Sequence, residues 1–333
     1  MADTQRSGRH RQASKENRRT TARHPRGLAA TIVAVCIVVA VIVALVIHTG
    51  VRPEKAAVPS GRHGLTPAPG SYIGLYAPKS FAQVKAFTAG TGIKPRVLVY
   101  YSGWQEPFRV GFAQTAAKDG AVPLVQMNPT DVSIAAIAAG RYDGYLSVYA
   151  KTVRAYHHPV ILSFGHEMNG YWYSWGYGHT SPIAFVAAWR HIVNVFRALG
   201  AQNVTWLWTV NNIHKQTGVP SPDPWWPGNS YVNWVGIDGY YIDSSSVFNS
   251  VFGPTIVAVR ALTHDPILIA ETSAAPASNQ PAKIANLFEG VRLYGLLGFV
   301  WFDSLNKVDW RLNRPAAIAA FRRSARTYLG LTT

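Results

Sequence analysis

Residues 160–167 read VILSFGHE: five residues that suit a buried strand, followed at once by glycine, histidine and glutamate. A short apolar run of this kind is typical of a parallel strand that is covered on both faces. Similar runs recur along the chain and alternate with helical patterns. The stretch therefore indicates an α/β protein built from repeated strand–helix units.

Eight such runs between residue 71 and residue 333 predict eight strands. They are Tyr72–Tyr76, Val97–Tyr101, Val122–Met127, Val160–Phe164, Val204–Val210, Val235–Tyr240, Ile267–Ala270 and Phe299–Phe302. Helical patterns fall between them at Phe81–Thr88, Thr130–Ala139, Leu146–Tyr156, Ile183–Leu199, Val251–Leu262 and Pro281–Tyr294. This alternation predicts a (β/α)₈ TIM barrel, a fold of typically about 250 residues. A doubly wound open sheet is the structural alternative, but no G-x-G-x-x-G motif opens an early helix.

Two glutamates follow apolar strands directly: Glu167 after the fourth and Glu271 after the seventh. Active sites of TIM barrels lie at the carboxyl ends of the strands, so both side chains are expected at the same mouth. Two carboxyl groups across a sugar-sized gap perform glycoside hydrolysis, with retention at about 5–5.5 Å and inversion at about 6.5–9.5 Å. The alternative is that each glutamate caps a helix or pairs with a surface arginine.

Aromatic residues accompany the two glutamates. Trp172 lies in the loop after Glu167, and Trp104 and Trp301 stand at strand ends. Indole rings stack on the flat C–H faces of pyranose rings, so these three tryptophans are predicted to bind substrate. Tryptophans also fill protein cores, which is the simpler explanation for Trp189 and Trp206.

Residues 165–176, GHEMNGYWYSWG, resemble the acid/base segment of glycoside hydrolase family 26. Residues 139–146 resemble the family's approach to that strand, residues 236–241 its sixth-strand segment, and residues 269–273 its nucleophile segment. The resemblance covers essentially residues 71–333. It implies a retaining (β/α)₈ hydrolase of β-linked polysaccharides, most often an endo-β-1,4-mannanase.

The resemblance also implies roles for individual residues. Glu167 would be the general acid/base and Glu271 the nucleophile. The expected substrate contacts are His166 and Asp238 at the cleaved sugar, Trp172 and Trp301 as aromatic walls, and Tyr240 as a hydrogen-bond donor to the nucleophile. Two departures from the family pattern, Ser163 and Phe302, put mannan preference in question more than hydrolysis.

No cofactor, metal ion or nucleic acid is predicted as a partner. No H-x-x-x-H pair has a carboxylate at zinc-ligand spacing, and neither a G-x-S-x-G elbow nor a phosphate-binding loop occurs. The formal charge of +16 would suit an acidic partner, but much of it lies in the first residues of the chain.

The amino-terminal residues predict a membrane anchor. Residues 1–26 carry eight Lys and Arg against two acidic residues, and residues 27–48 contain the run Leu28–Ile47, which is apolar apart from one threonine. A helix of that length spans roughly 30 Å, the hydrocarbon thickness of a bilayer. The charge bias predicts a cytoplasmic tail and an extracellular domain, with Pro-rich residues 49–70 as a spacer. A cleaved signal peptide, which would give a secreted protein, is the alternative.

Three hypotheses on function follow. The chain would be an endo-β-mannanase or a β-glucanase on the same scaffold, an anchored hydrolase that processes exported polysaccharide, or a carbohydrate-binding barrel without turnover. The last is disfavoured because both carboxylates stand at barrel positions, with a tyrosine beside one of them.

Overall fold

The computed structural model describes residues 65–77, 80–213 and 218–331. Eight parallel strands close into a barrel in sequence order, which confirms the TIM barrel and excludes the open sheet. The strands are β1 (Tyr72–Tyr76), β2 (Val97–Ser102), β3 (Val122–Met127), β4 (Val160–Phe164), β5 (Val204–Asn211), β6 (Trp234–Asp238), β7 (Ile267–Thr272) and β8 (Gly298–Phe302). We call the end of the barrel at the carboxyl ends of the strands the mouth, and the opposite end the floor.

Helices surround the barrel. In the described residues they are α1 (Phe81–Thr91), α2 (Val110–Lys118), α3 (Ile134–Ala138), α4 (Asp143–Tyr156), α5 (Pro182–Ala198), α6 (Phe248–Leu262), α7 (Gln280–Leu293) and α8 (Pro315–Tyr328). The sequence analysis missed α2 and α8, whose buried faces rely on alanine at Ala113, Ala116, Ala317 and Ala320 and so give a weak apolar signal. The helix predicted over Thr130–Ala139 is confined to the short α3, because Ser133 caps it and Gly140 ends it at φ +77°.

Strand alternation creates two cores. Val97, Val99, Leu124 and Ile161 point into the barrel and pack on one another. Their neighbours in sequence, such as Leu98 and Leu162, point outward and pack beneath the helices. Because both faces are buried, the strands read as continuous apolar runs, which is why the sequence revealed them so clearly.

Residues 65–70 close the floor of the barrel. The backbone N–H of Leu65 donates to Thr205 Oγ1 at 3.0 Å, and Leu65 and Ala68 pack on the residues inside the barrel. The N–H of Gly70 donates to the carbonyl of Leu296 at 2.9 Å. These residues were assigned to the spacer of residues 49–70, but they belong to the packing of the barrel.

The predicted membrane anchor, Leu28–Ile47, and the basic tail lie outside the described residues. Within the part of the chain that the structure describes, no helix combines the length and apolar character needed to cross a bilayer.

Candidate active site

Glu167 occupies a tight turn at the end of β4. Gly165 and Glu167 both have left-handed backbones, with φ of +56° and +55°. Only glycine fits the first position, since an added Cβ would lie 2.8 Å from the ring of Phe185. At the second, a left-handed conformation is unusual for a residue with a side chain, and it is held by an N–H bond from Glu167 to the Thr209 carbonyl at 2.9 Å.

Two side chains hold the carboxyl group of Glu167. The indole Nε1 of Trp172 donates to Oε2 at 2.8 Å, and Nδ2 of Asn211 donates to Oε1 at 2.5 Å. The glutamate is only 7% exposed. Burial raises its pKa, while the two donors act in the opposite direction by favouring the charged form. A carboxyl group that keeps its proton at higher pH suits a general acid.

Asn211 is itself fixed by Asn169. Oδ1 of Asn169 accepts the backbone N–H of Asn211 at 2.8 Å, and its Nδ2 donates to the carbonyls of Asn211 at 2.8 Å and Pro220 at 3.2 Å. The sequence analysis assigned neither asparagine to the site. Their only signal was their place at the ends of β4 and β5.

A register shift in β7 turns Glu271 into the mouth. Ile237 pairs with Ile269, but the next residue of β6, Asp238, pairs with Glu271 rather than Ala270. Ala270 packs inside the barrel, so regular alternation would point Glu271 toward the helices. The extra residue in β7 lets both side chains face inward, as bulges near active sites commonly do.

Two tyrosine hydroxyls meet Glu271. Tyr240, which follows β6, donates to Oε1, and Tyr101 on β2 donates to Oε2. Burial raises the pKa of Glu271 to about 8. The two hydroxyls oppose this shift because they stabilise the carboxylate, the form that a nucleophile needs. Tyr240 was predicted for this role; Tyr101 was not, since nothing in the sequence distinguishes it from Tyr100, the other aromatic residue of β2.

Asp238 lies between the two glutamates in the strand order. It is fully buried on β6, in register with Asn211 on one side and Glu271 on the other. Neither carboxyl oxygen has a hydrogen-bond partner among the described residues. Burial, with a smaller contribution from the charge of Glu167, raises its pKa well above the usual range. A group in this state is free to bond a sugar hydroxyl.

His166 is buried beside Glu167. Its Nδ1 lies 2.9 Å from Oδ1 of Asn128, and its ring is 5.4 Å from that of Tyr101, measured between centroids. Burial lowers the pKa of this histidine to about 3, so the imidazole is neutral. The bond to the Asn128 oxygen is made by an Nδ1–H, which leaves Nε2 as an acceptor.

Trp104 and Trp301 do not line the mouth, and their prediction as substrate-binding residues is wrong. Trp301 is 1% exposed and packs against Phe321 of α8, because it takes an outward-facing position in β8. Trp104 is 8% exposed and packs on Tyr145 and Phe164. Both belong to the core between barrel and helices.

Other aromatic side chains form the wall expected of Trp301. Phe302, the next residue of β8, stacks on Tyr76 with ring centroids 4.7 Å apart. Trp310 packs on Tyr240 at 4.5 Å. Successive side chains of a strand point to opposite faces, so Trp301 lies in the core and the next residue, Phe302, lies at the site.

Ser163, the first departure from the family pattern, lies inside the barrel below the mouth. Its hydroxyl is 3.0 Å from Oγ1 of Thr209, whose carbonyl accepts the N–H of Glu167. The serine thus belongs to the support of the β4 turn and is fully buried.

A groove of about 820 Å³ extends from the mouth over β5 and β6. Trp172, which is 41% exposed, and Tyr240 mark its inner end. Tyr171, Asn212 and Ile242 line the part farther out. The groove combines aromatic faces with amide groups, which are the features that sugars bind. In the described residues, no group of three or more His, Cys, Asp or Glu side chains is placed to hold a metal ion.

The family model described as glycosyl hydrolase family 26 matches residues 132–277, the segment that carries both glutamates. Endoglucanase H of Acetivibrio thermocellus is 30% identical over a match of 274 residues, which covers 77% of this chain. The two matches support the assignment of this barrel to glycosyl hydrolase family 26. The matched residues include the turn that holds Glu167 and the end of β7 that carries Glu271.

Other proteins similar to this chain are named for different activities. The β-1,3-xylanase TXYA of a Vibrio species is 27% identical over 132 residues, 37% of this chain. The chain spans only 30% of the endoglucanase and 27% of the xylanase. The structure of the Bacillus subtilis mannanase man26 has a TM-score of 0.55 and 16% identity, covering 78% of this chain and 85% of that one. At this identity the likeness concerns the fold alone.

Proposed function

We propose that the chain is a retaining glycoside hydrolase that cleaves β-linked polysaccharides, with Glu167 as acid/base and Glu271 as nucleophile. One observation carries the proposal. Two buried glutamates converge on one mouth with different partners, an amide and an indole for Glu167 and two phenols for Glu271. Different environments for two carboxyl groups are what an acid and a nucleophile require.

The first step forms a glycosyl-enzyme. The carboxylate of Glu271 attacks the anomeric carbon while the bond from that carbon to the leaving oxygen breaks. Glu167 transfers its proton to the leaving oxygen, so the aglycone departs as an alcohol. The phenols of Tyr101 and Tyr240 favour the ionised form of Glu271, against the effect of its burial, and align it before the attack.

The second step releases the sugar. Glu167, now a carboxylate, removes a proton from water, whose oxygen attacks the anomeric carbon. The bond to Glu271 breaks and its carboxylate is restored, and Glu167 is protonated again. Two displacements at one carbon retain the β configuration. Asp238 supplies two carboxyl oxygens without a hydrogen-bond partner in the described residues, and His166 its second ring nitrogen, for the hydroxyls of the sugar that reacts.

β-1,4-Mannan is the substrate that we propose first. The resemblance of residues 165–176 to the acid/base segment of family 26 points to mannanases. β-Glucan is the second candidate, since the relative matched over 274 residues is named an endoglucanase. The same strand-end residues serve both sugars, and loop shape decides between them.

The test is hydrolysis of β-1,4-mannan, mixed-linkage β-glucan and β-1,3-xylan by the purified chain. The release of reducing ends measures the rate. A Glu167→Gln, Glu271→Gln double variant is the control for contaminating activity. We expect turnover of mannan, with early products in the β configuration by proton NMR. Inverted products, or binding without turnover on all three polymers, would contradict the proposal.

We also propose that the barrel is held at the outer face of the cell membrane by Leu28–Ile47. The apolar length of this run and the basic residues before it support the assignment. Extraction of membranes with alkaline carbonate tests it: an integral anchor keeps the chain in the pellet, whereas a cleaved signal peptide releases it.

A further inference from the structure

Positive charge is concentrated on the floor of the barrel. Six of the described helices carry a basic residue in the last turn, namely Lys118, Arg154, Arg197, Arg260, Arg292 and Arg326. Helices of a βα barrel run opposite to its strands, so these ends share the floor. Lys94 and Arg96, before β2, add two more basic residues. The same turns and loops contain two acidic residues, Asp119 and Asp265, so their net charge is 8 − 2 = +6.

Helix macrodipoles explain part of this pattern, since a basic residue is favourable at any helix end. They do not explain Lys94 and Arg96, which lie in a loop and are exposed. Nor is the charge of Arg154 neutralised by its hydrogen bond, since it donates to the carbonyl of Leu199 at 3.3 Å. A carbonyl oxygen accepts hydrogen bonds from the guanidinium group but does not neutralise its positive charge.

Exposed apolar side chains lie on the same face. Leu293 and Tyr294, at the end of α7, are 65% and 39% exposed. Leu329 and Leu331, after α8, are 40% and 53% exposed. The two helices pack together through Phe288 and Phe321, whose ring centroids are 5.2 Å apart. Apolar residues beside basic ones are the composition of surfaces that lie in the headgroup region of a bilayer.

The chain also joins the barrel at this face. Leu65 and Ala68 close the floor, and Gly70 lies against the hydroxyl of Tyr328, directly before Leu329. Seventeen residues lie between Ile47 and Leu65, and they reach at most about 60 Å. Any bilayer crossed by Leu28–Ile47 is thus tethered to the barrel through residues that lie at the floor.

We propose that the floor of the barrel docks on an anionic phospholipid bilayer. The basic residues face the lipid headgroups, and Leu293, Leu329 and Leu331 enter the interfacial region. Anionic lipid attracts basic residues within a Debye length of its surface, so salt weakens the contact. Docking by the floor points Glu167 and Glu271 away from the membrane, toward polymers in the surrounding medium.

The test compares the full chain with vesicles of phosphatidylcholine alone and with vesicles containing 30% phosphatidylglycerol (roughly the anionic content that lowers a surface potential appreciably). Acetylation of lysines by an activated ester, read by mass spectrometry, reports their exposure. We expect labelling of Lys94 and Lys118 to fall about fivefold or more on the anionic vesicles and to recover at high salt. Lys307, in the loop after β8 at the mouth, is the internal control and should label equally in both.

Two variants separate charge from apolar insertion. Lys118→Gln with Arg154→Gln and Arg292→Gln should abolish the lipid-dependent protection of Lys94 while hydrolysis of a soluble substrate is unchanged; Lys307→Gln is the matched control. Leu329→Ser with Leu331→Ser should weaken protection on vesicles. Equal labelling of Lys94 on both kinds of vesicle would overturn the proposal. So would equal protection by soluble polyglutamate, which offers charge without an apolar phase.

Discussion

The phenol of Tyr101 on β2 donates a hydrogen bond to Glu271 on β7, 170 positions later in the chain. Tyr240 donates to the other oxygen of the same carboxyl group. The two hydroxyls hold Glu271 from two sides and oppose the effect of its burial. They link the second and sixth strands to the chemistry of the seventh.

Tyr101→Phe should raise the pKa of Glu271, because a donor that favours the carboxylate is lost while the burial remains. The acidic limb of the pH profile of kcat/KM should move to higher pH. Below that limb kcat/KM should fall about 10- to 100-fold, since a hydrogen bond to a charged group contributes about 1.5–3 kcal/mol. Tyr76→Phe is the matched control, because its ring contacts Tyr101 but its hydroxyl makes no bond to Glu271. If the acidic limb of the pH profile is unchanged in Tyr101→Phe, Tyr101 does not act on Glu271 in the mechanism.

Chemical rescue should distinguish the two glutamates. Glu271→Ala should lose roughly 10⁴-fold or more in kcat, and added azide should restore turnover with a glycosyl azide of α configuration. Glu167→Ala should retain activity on substrates with good leaving groups, and azide should give the β product. The configuration of each azide is read by proton NMR. A β azide from Glu271→Ala would reverse the assignment.

Asn211→Ala should raise the pKa of Glu167, since its amide donates to the charged carboxyl group at 2.5 Å. The basic limb of the kcat/KM profile should therefore move to higher pH, while kcat falls about tenfold. Asn169→Ala should shift the limb in the same direction by a smaller amount, because Asn169 positions Asn211 and does not touch Glu167. A fall in activity with no movement of the limb would indicate a structural role only.

Trp301→Ala and Phe302→Ala should have opposite consequences. Trp301 is a core residue, so its loss should lower the free energy of unfolding by about 3–5 kcal/mol. The KM of the folded fraction should be unchanged. Phe302 lies at the mouth, so its loss should raise KM with a smaller effect on stability. Urea denaturation measures the change in stability, and initial rates measure KM. A large increase of KM in Trp301→Ala would show that Trp301 binds substrate.

Glu271→Gln should stabilise the protein at alkaline pH. The folded-state pKa of Glu271 is raised to about 8, so folding favours the protonated form. Stability is therefore fully present below the unfolded pKa near 4.5 and is lost as pH rises toward 8. Glutamine does not ionise, so the variant should exceed the wild type by on the order of 1–3 kcal/mol at pH 8 and match it near pH 4. Urea denaturation at both pH values measures this; an equal difference at both would refute the linkage.

The amino-acid sequence was sufficient for the eight strands of the barrel and for the position of Glu167 and Glu271 at strand ends. Both depend on local patterns. A strand buried on two faces is a continuous apolar run, and a charged residue directly after such a run stands out. Helices α2 and α8 were missed because alanine faces bury little apolar area and give little contrast.

Only the tertiary structure decided which side chains reach the mouth. Trp301 and Phe302 are adjacent and both aromatic. The register of β8 against β1 points Trp301 outward to the helices and Phe302 toward the mouth. Glu271 faces the mouth through an extra residue in β7, which appears only when its pairing with β6 and β8 is known. Tyr101 reaches Glu271 because the barrel closes. Composition and periodicity record what is buried, whereas register and closure are relations between distant segments that no local pattern contains.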